Sequence, residues 1–414
     1  MTHQIAIIGA GAAGCFAAIN IKRRLPSAQV TIYEAGTRPL AKLAVTGGGR
    51  CNLTNSFAAV TSLETVYPRG HRLMKRLLHE FSHDDAFRWF EREGVSLVTQ
   101  DDNCVFPRSQ SAMEIVNLLL RRCRELGITI KTACRVTILD HADPIYIIRC
   151  KQRQFTAHTV VVATGGSPRL SGMEWLAALG LDIIAPVPSL FSLALDSRQL
   201  NTLSGTVVQD VTASLAGTKF RACGPLLITH WGVSGPAVLK LSSLAARHLA
   251  DHSYTGTLAI NWLGDATPTA AADMLRAMQA TNPNKQLQNI YPNALNARLW
   301  AHLLAKAGLN AAARWSSMGS RQTNRLADTL TNDHYPIAGK NRHKDEFVTC
   351  GGIALSCLSP RTLECKTHPR LYFIGEATDV DAVTGGFNLQ AAWTMAYVAA
   401  KSIGEGVLLA TSRT

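Results

Sequence analysis

Ten cysteines are present, yet none forms a Cys-x-x-Cys pair or a repeat with metal-ligand spacing. That absence excludes a zinc ribbon, a thiolate-held iron–sulfur cluster and a dithiol redox centre, and it offers no disulfide framework. Cys350, Cys357 and Cys365 come closest to a grouping; their spacing is too irregular for a metal, and they read as small buried thiols. Long apolar runs are missing too, none approaching the roughly 18 residues of a membrane span. A strand pattern begins at Gln4 with no charged, apolar and cleavage regions before it, so no signal peptide is expected and a cytoplasmic location is. Acidic residues are scarce: 29 stand against 42 Lys and Arg, leaving a net charge of +13. Such an excess points to a polyanionic partner or small anionic substrates, or to a surface that is merely basic and soluble.

At 414 residues, 47% of them hydrophobic, the chain has room for two or three globular domains. The stretch that organises it is the first. Gln4 to Ile8 is an apolar strand that runs into Gly9-x-Gly11-x-x-Gly14 and then a helix reaching about Arg24. In this pattern Gly9 permits the tight turn, Gly11 lets the backbone approach a pyrophosphate, and Gly14 lets the helix pack on the sheet. Phosphates would sit on the helix N-terminus, where unpaired N–H groups and the macrodipole favour anions. The next strand, Gln29 to Tyr33, delivers Glu34 twenty residues after Gly14, where an acidic side chain accepts from a ribose 2′-OH. The expected fold class is α/β: a Rossmann-type domain, split in sequence, with inserted β-barrel-like and helical domains.

Further along, Thr46-Gly47-Gly48-Gly49-Arg50-Cys51-Asn52 places three glycines in a row, marking backbone with unusual dihedrals or one that lies against a ligand. Helical spacing covers Arg69 to Glu93 and Ser111 to Leu126, and short strands follow at Thr129 to Lys131, Arg135 to Leu139 and Ile145 to Arg149. A buried parallel strand from Thr159 to Ala163 ends in Thr164-Gly165-Gly166. From about Val187 the texture becomes short, alternating and Ser/Thr-rich, as in a small β domain. Residues from about 267 to 330 are Ala/Leu/Asn-rich and helical. The expected domains are therefore 1–187, with a helical excursion at about 56–126, then a β-rich insertion at 188–266, a helical one at 267–333, and a return to the first domain at 334–414. Between 296 and 344, Arg298, Lys306, Arg314, Arg321, Arg325, Lys340, Arg342 and Lys344 face only Asp328 and Asp333, with Trp315, Tyr335 and His343 interspersed. This basic stretch is the candidate RNA contact, or a solvated helical face.

Five segments together resemble the BaiN-like, or YhiN-like, flavoproteins, FAD-binding oxidoreductases of which some are named aminoacetone-oxidase-like. They are the GxGxxG opening, Thr46 to Asn52, the Thr164-Gly-Gly turn, Thr229-His-x-Gly-x-Ser-Gly-Pro236, and Gly375-Glu376-x-x-Asp379-Val-Asp-x-x-Thr-Gly385-Gly386-Phe387-Asn388-Leu-Gln390. The chain departs from the family at Ala382, commonly Gly, and at Phe387, commonly Tyr. The resemblance implies FAD as cofactor. Gly9, Ala10, Gly11, Ala13 and Gly14 would cradle its pyrophosphate, with Glu34 and Ala35 at the adenosine ribose and Val136 near adenine. Gly375, Glu376 and Asp379 would approach the ribitol and pyrophosphate, and Ala163, Thr164 and Gly165 would turn beside the cofactor. The isoalloxazine would lie between Gly385, Gly386, Phe387 and Asn388 on one side and Lys42 with Thr46 to Asn52 on another. Cys51 is either an acid or nucleophile beside Arg50 or a small packed residue. His230 either exchanges protons with substrate or is structural. No second GxGxxG is present, so NAD(P)H as donor would bind transiently over the flavin. The substrate is a small amine or unsaturated small molecule, or a pyrimidine base in RNA reduced to dihydrouridine; a non-catalytic flavin-containing RNA-binding protein is the alternative. The sequence leaves the oligomeric state open.

Overall fold

The structure, a computed structural model, describes residues 2–151, 153–167, 169–340 and 348–411. It divides into two units, Met1–Val187 with Val348–Thr414, and Pro188–Phe347.

The first unit is built on a five-stranded parallel sheet. β1 (Gln4–Ile8), β2 (Gln29–Tyr33), β3 (Thr129–Lys131), β4 (Thr159–Val162) and β5 (Leu371–Phe373) are ordered β5-β4-β1-β2-β3. Ile5 stands opposite Val30 and Thr159, and Ile7 opposite Ile32 and Val161, so the central strands are mostly apolar. That is the composition expected of a parallel sheet covered on both faces. One cover is a helical layer. α1 (Ala12–Arg24) packs against the last helix, α4 (Phe387–Thr411), with Ala17 and Ala18 of the first and Ala396, Ala399 and Ala400 of the second all in the core. The small side chains allow close approach, and Phe16 fills the space between, its ring 4.5–6.1 Å from those of Phe81, Trp89, Phe90 and Trp393. The other cover includes the antiparallel meander Ile138–Ala142, Ile145–Cys150 and Arg153–Ala157.

Two helices replace the single one expected over Arg69 to Glu93: α3 (His71–Leu77) and His83–Arg92. Ser82 breaks the run with a capping box, its hydroxyl accepting from the Asp85 N–H while the Asp85 carboxylate accepts from the Ser82 N–H.

In the second unit six antiparallel strands close a barrel: Leu193–Leu195, Gly232–Ser234, Arg221–Thr229, Val207–Leu215, Gly256–Asn261 and Asp333–Lys340. Closure removes every free strand edge. The helices Pro268–Thr281, Ala297–Lys306 and Ser320–Thr331 share one core with it, including the buried Trp262, Trp300 and Trp315. Two sequence-based boundaries differ here. The helical stretch is continuous with the barrel's core, and Asp333–Lys340, expected to return to the first domain, is the strand that closes the barrel. Its alternating burial, with Asp333, Tyr335 and Ile337 inward, supplies the reason.

Candidate functional site

The turn after β1 is fixed from both sides. Gly9 has φ +110°, and its N–H donates to Tyr33 O at 2.8 Å. A Cβ on Gly9 would stand 2.3 Å from Ala163 O, and one on Gly14 would stand 2.0 Å from Gly9 O. Strand, turn, helix and the end of β4 thus meet where only glycine fits. Gly11 is different: it is the N-cap of α1, no side chain caps the helix, and a Cβ there would meet no atom within 4 Å. The first turn of α1, which contains Ala13, carries no acidic residue, so no side chain neutralises the positive end of the macrodipole there.

Glu34, at the end of β2, reaches back to this turn. Its Oε2 accepts from the Ala10 N–H at 2.7 Å and its Oε1 from the Gly36 N–H at 2.6 Å, with exposed Ala35 between. Each oxygen keeps a second lone pair for a diol. Gly375, with φ +63°, comes against the other side of α1, its Cβ position 3.2 Å from Ala13 Cβ. Next to it Glu376 pairs with Lys42 at 2.6 Å and accepts from the Thr349 N–H at 2.8 Å. The Thr164-Gly165-Gly166 turn abuts the same carboxylate: a Cβ on Gly166 would lie 2.8 Å from Glu376 Oε1. Asp379 follows, half-buried, its N–H donating to Ile353 O at 3.0 Å.

α2 (Ala41–Gly49) leaves helical geometry at Thr46, and Gly47, Gly48 and Gly49 all have positive φ, from +57° to +84°. Gly48, Gly49 and Arg50 are exposed, a Cβ on Gly48 or Gly49 would meet nothing within 4 Å, and Val45 beside them is 69% exposed. An apolar side chain and bare backbone side by side make a surface suited to a planar ring. Arg50 stacks over Phe106, 4.4 Å from the ring centroid, and donates through Nε to Gly47 O. It is not what governs Cys51. That residue has φ +62° and is fully buried; burial pushes its thiol up to about 12, against an opposing hydrogen bond from Thr46. The geometry supports the packed thiol over the thiolate. Iodoacetamide at pH 8 is therefore expected to modify the exposed Cys223 of the native protein and to leave Cys51 untouched. Peptide mapping that finds both labelled at similar rates would restore the thiolate reading.

Asn52 ties this loop to the N-terminus of α4. With its amide oriented by its partners, Oδ1 accepts from the Gly386 N–H at 3.2 Å and Nδ2 donates to Thr54 O at 3.1 Å. Gly385 and Gly386 have φ +128° and +90°, and a Cβ on Gly386 would stand 2.2 Å from Thr54 O. The Asn388 side chain turns back to its own loop, bonding the N–H and the carbonyl of Ala382 at 2.9 and 2.8 Å. The Phe387 ring stands edge-on to Phe57 and Tyr67, and the Tyr67 hydroxyl donates to Phe387 O at 2.9 Å.

The first unit thus brings together Gly9 to Gly14, Glu34, Lys42, Thr46 to Asn52, Ala163 to Gly165, Gly375, Glu376 and Gly385 to Phe387. Val136 is buried beneath the sheet with Ala6, Ile8 and Tyr33, ahead of the strand Ile138–Ala142 rather than within one. His230 belongs to the second unit, exposed at the turn between Arg221–Thr229 and Gly232–Ser234. Of the basic stretch, Lys306 pairs with the buried Asp333, Arg298 donates to Thr202 O and Arg325 to Gly308 O, while Lys340 lies over Tyr254. Arg314 and Arg321 are exposed; Arg342, His343 and Lys344 lie outside the described residues. Residues that the sequence did not single out are Tyr67 and Arg69, the latter paired with Asp381. On α3, Arg72, Lys75 and Arg76 are exposed, and their side chains make no hydrogen bond or ion pair among the described residues.

This arrangement fits a bound FAD: an uncapped helix N-terminus opening at Gly11, a carboxylate held at the turn, and a bare glycine run beside an apolar surface. The family model for the HI0933-like protein Rossmann domain matches residues 3–402. The chain belongs to this family. HI0933-like proteins are the FAD-binding oxidoreductases, the BaiN/YhiN group, to which the motifs point. Among relatives, a protein named ribosomal RNA dihydrouridine synthase from Escherichia coli is 29% identical over 407 residues, covering 96% of this chain and 97% of its own. One named 3-dehydro-bile acid delta(4,6)-reductase from Clostridium scindens is 28% identical over 415 residues, covering 97% and 99%. Among solved structures, a quinol-fumarate reductase with menaquinol molecules aligns with TM-score 0.50 at 13% identity, over 98% of this chain and 71% of that one, a likeness of fold. No helix among the described residues of this HI0933-like protein is long and apolar enough to cross a membrane, and no group of three or more His, Cys, Asp or Glu is arranged to hold a metal.

Proposed function

We propose that the protein is an FAD-dependent oxidoreductase acting on an unsaturated small molecule or amine, with NAD(P)H as the electron donor. The observation that carries this reading is the open, uncapped N-terminus of α1 at Gly11, faced by the Glu34 carboxylate. FAD, when bound, supplies hydride exchange at flavin N5. The chain's residues do the rest. The N–H groups of Gly11 to Gly14 would meet a pyrophosphate, and Glu34 would accept from the ribose hydroxyls. Lys42, paired to Glu376, places a cation beside Gly375. The start of α4 at Phe387 would offer its N–H groups to the flavin's pyrimidine edge, where they would stabilise negative charge. The Thr46 to Asn52 loop, with Val45, would cover another side of the ring.

A second reading, reduction of a pyrimidine base in RNA, is favoured by the free cations of α3, because α3 follows a segment that packs on the flavin turn: a Cβ on Gly70 would lie 2.7 Å from Val380. The name of the Escherichia coli relative agrees with it. One experiment tests both readings. Purified yellow protein, mixed anaerobically with NADH or NADPH in a stopped-flow instrument, is expected to bleach. Reoxidation that requires added cellular RNA would select the RNA reading, and reoxidation by small acceptors alone the first. A colourless protein would sink both.

A further inference from the structure

A segment outside the cofactor motifs holds the start of α4 in place. Residues 66–70 run alongside residues 380–387 like a short zipper. The Val383 N–H donates to Val66 O at 2.9 Å, and Arg69 and Asp381 form an isolated antiparallel bridge. The Tyr67 hydroxyl meets Phe387 O, and Gly70 leaves just enough room for Val380. At the centre lies an ion pair: Arg69 Nε donates to Asp381 Oδ1 at 2.5 Å and Arg69 Nη2 to Asp381 Oδ2, a two-point fork. Asp381 is 1% exposed at its side chain and Arg69 11%, so water does little to screen the pair. A planar guanidinium in such a fork fixes direction as well as distance, which a lysine cannot do.

The segment held this way leads directly into the turn Gly385–Gly386 and the first N–H groups of α4. We propose that Arg69 is a positioning residue for the flavin site: paired with Asp381, it sets where the N-terminus of α4 lies and thereby the potential at which bound FAD is reduced. This rests on the flavin reading above. Arg69 acts through Asp381 and the five residues that follow. N–H groups held at the pyrimidine edge favour the reduced, negatively charged ring, so a loosened turn lowers the potential.

The test is a spectroelectrochemical titration of the FAD-loaded protein and its variants. Arg69→Lys keeps the charge and loses the fork, which separates position from electrostatics. It is expected to lower the equilibrium constant for two-electron reduction about tenfold, a fall of about 30 mV. Tyr67→Phe, which alters no charge, is expected to move the potential in the same direction by less, and serves as the second probe should Arg69→Lys fold poorly. Glu93→Gln breaks a partly buried ion network with Arg23 and Arg122 in the same unit, away from the turn, and is expected to lower thermal stability without moving the potential. A potential unchanged in whichever of the first two variants binds FAD, or shifted equally by Glu93→Gln, overturns the proposal. A wild-type protein that binds no FAD removes instead the reading on which it rests.

Discussion

Replacement of Gly11 by valine should give a folded protein with no flavin, whereas replacement of Gly14 by alanine, one helical turn away, should damage the fold itself. The two positions belong to one motif yet meet different surroundings. At Gly11 a Cβ meets nothing within 4 Å, and the backbone is ordinary extended chain at φ −85°. A side chain there costs the apoprotein no more than about 1 kcal/mol, the scale of an N-cap exchange. It does, however, occupy the path by which a pyrophosphate approaches the backbone. An overlap costing about 1–3 kcal/mol weakens FAD binding roughly fivefold to 150-fold. At Gly14 the Cβ would lie 2.0 Å from Gly9 O, backbone that cannot yield because Gly9 is itself pressed against Ala163. A loss of about 3 kcal/mol or more follows, a fall of roughly 6–12 °C in Tm for a domain of this size. Flavin absorbance after gel filtration and thermal unfolding of the apoproteins read the two effects separately. Retained flavin in Gly11→Val, or an unchanged Tm in Gly14→Ala, would break the argument.

The second large effect is expected in the other unit. Asp333, at the start of the strand that closes the barrel, is buried; its Oδ2 accepts from Trp262 Nε1 at 2.8 Å and the Tyr335 hydroxyl at 2.6 Å, and its Oδ1 forms an ion pair with Lys306, whose Nζ also lies over the Tyr335 ring. Burial together with the neighbouring carboxylate drives the Tyr335 hydroxyl far above its ordinary range, so it remains a donor. Asp333→Ala strands the Trp262 and Tyr335 donors at once and leaves Lys306 with His334 O and water. Losing one side of a buried pair costs about 3–5 kcal/mol. Asp333→Asn, which still accepts from Trp262 and Tyr335, should cost less, since Lys306 is one-third exposed and can turn to water. Chemical denaturation distinguishes them; equal losses in the two variants would mean that charge, not hydrogen bonding, holds the network.

How much of this was legible beforehand depends on how far apart the interacting residues lie in sequence. The strand, turn and helix around Gly9 to Gly14 could be read because their reasons are local: apolar alternation, glycine at the turn, basic residues ending α1. Glu34 could be read because a strand's length fixes where its end falls. The break at Ser82 was written in the chain as Ser-x-x-Asp, but apolar spacing continues across it and hides it. Asp333–Lys340 looked like the return to the sheet because nothing in eight residues says which partner strand awaits. Arg69 and Asp381 could not have been paired at all: they are 312 positions apart, and each is ordinary in its own neighbourhood. Cys51 beside Arg50 suggested an activated thiol, since adjacency in sequence was visible and burial was not.

The pairing of α1 with α4 also has a timetable. Residues 12–24 emerge from the ribosome early, and the helix that covers Phe16 comes only with residues 387–411. At about 5–20 residues per second, roughly 20–75 s separate the two. During that interval the apolar face of α1 has no final partner, the edge strand β5 is missing from the sheet, and the turn at Gly386 does not exist. The barrel unit, whose strands all lie between these moments, can complete its closure first. The cofactor site thus forms only once residues 387–411 are in place, after the barrel unit has been synthesised.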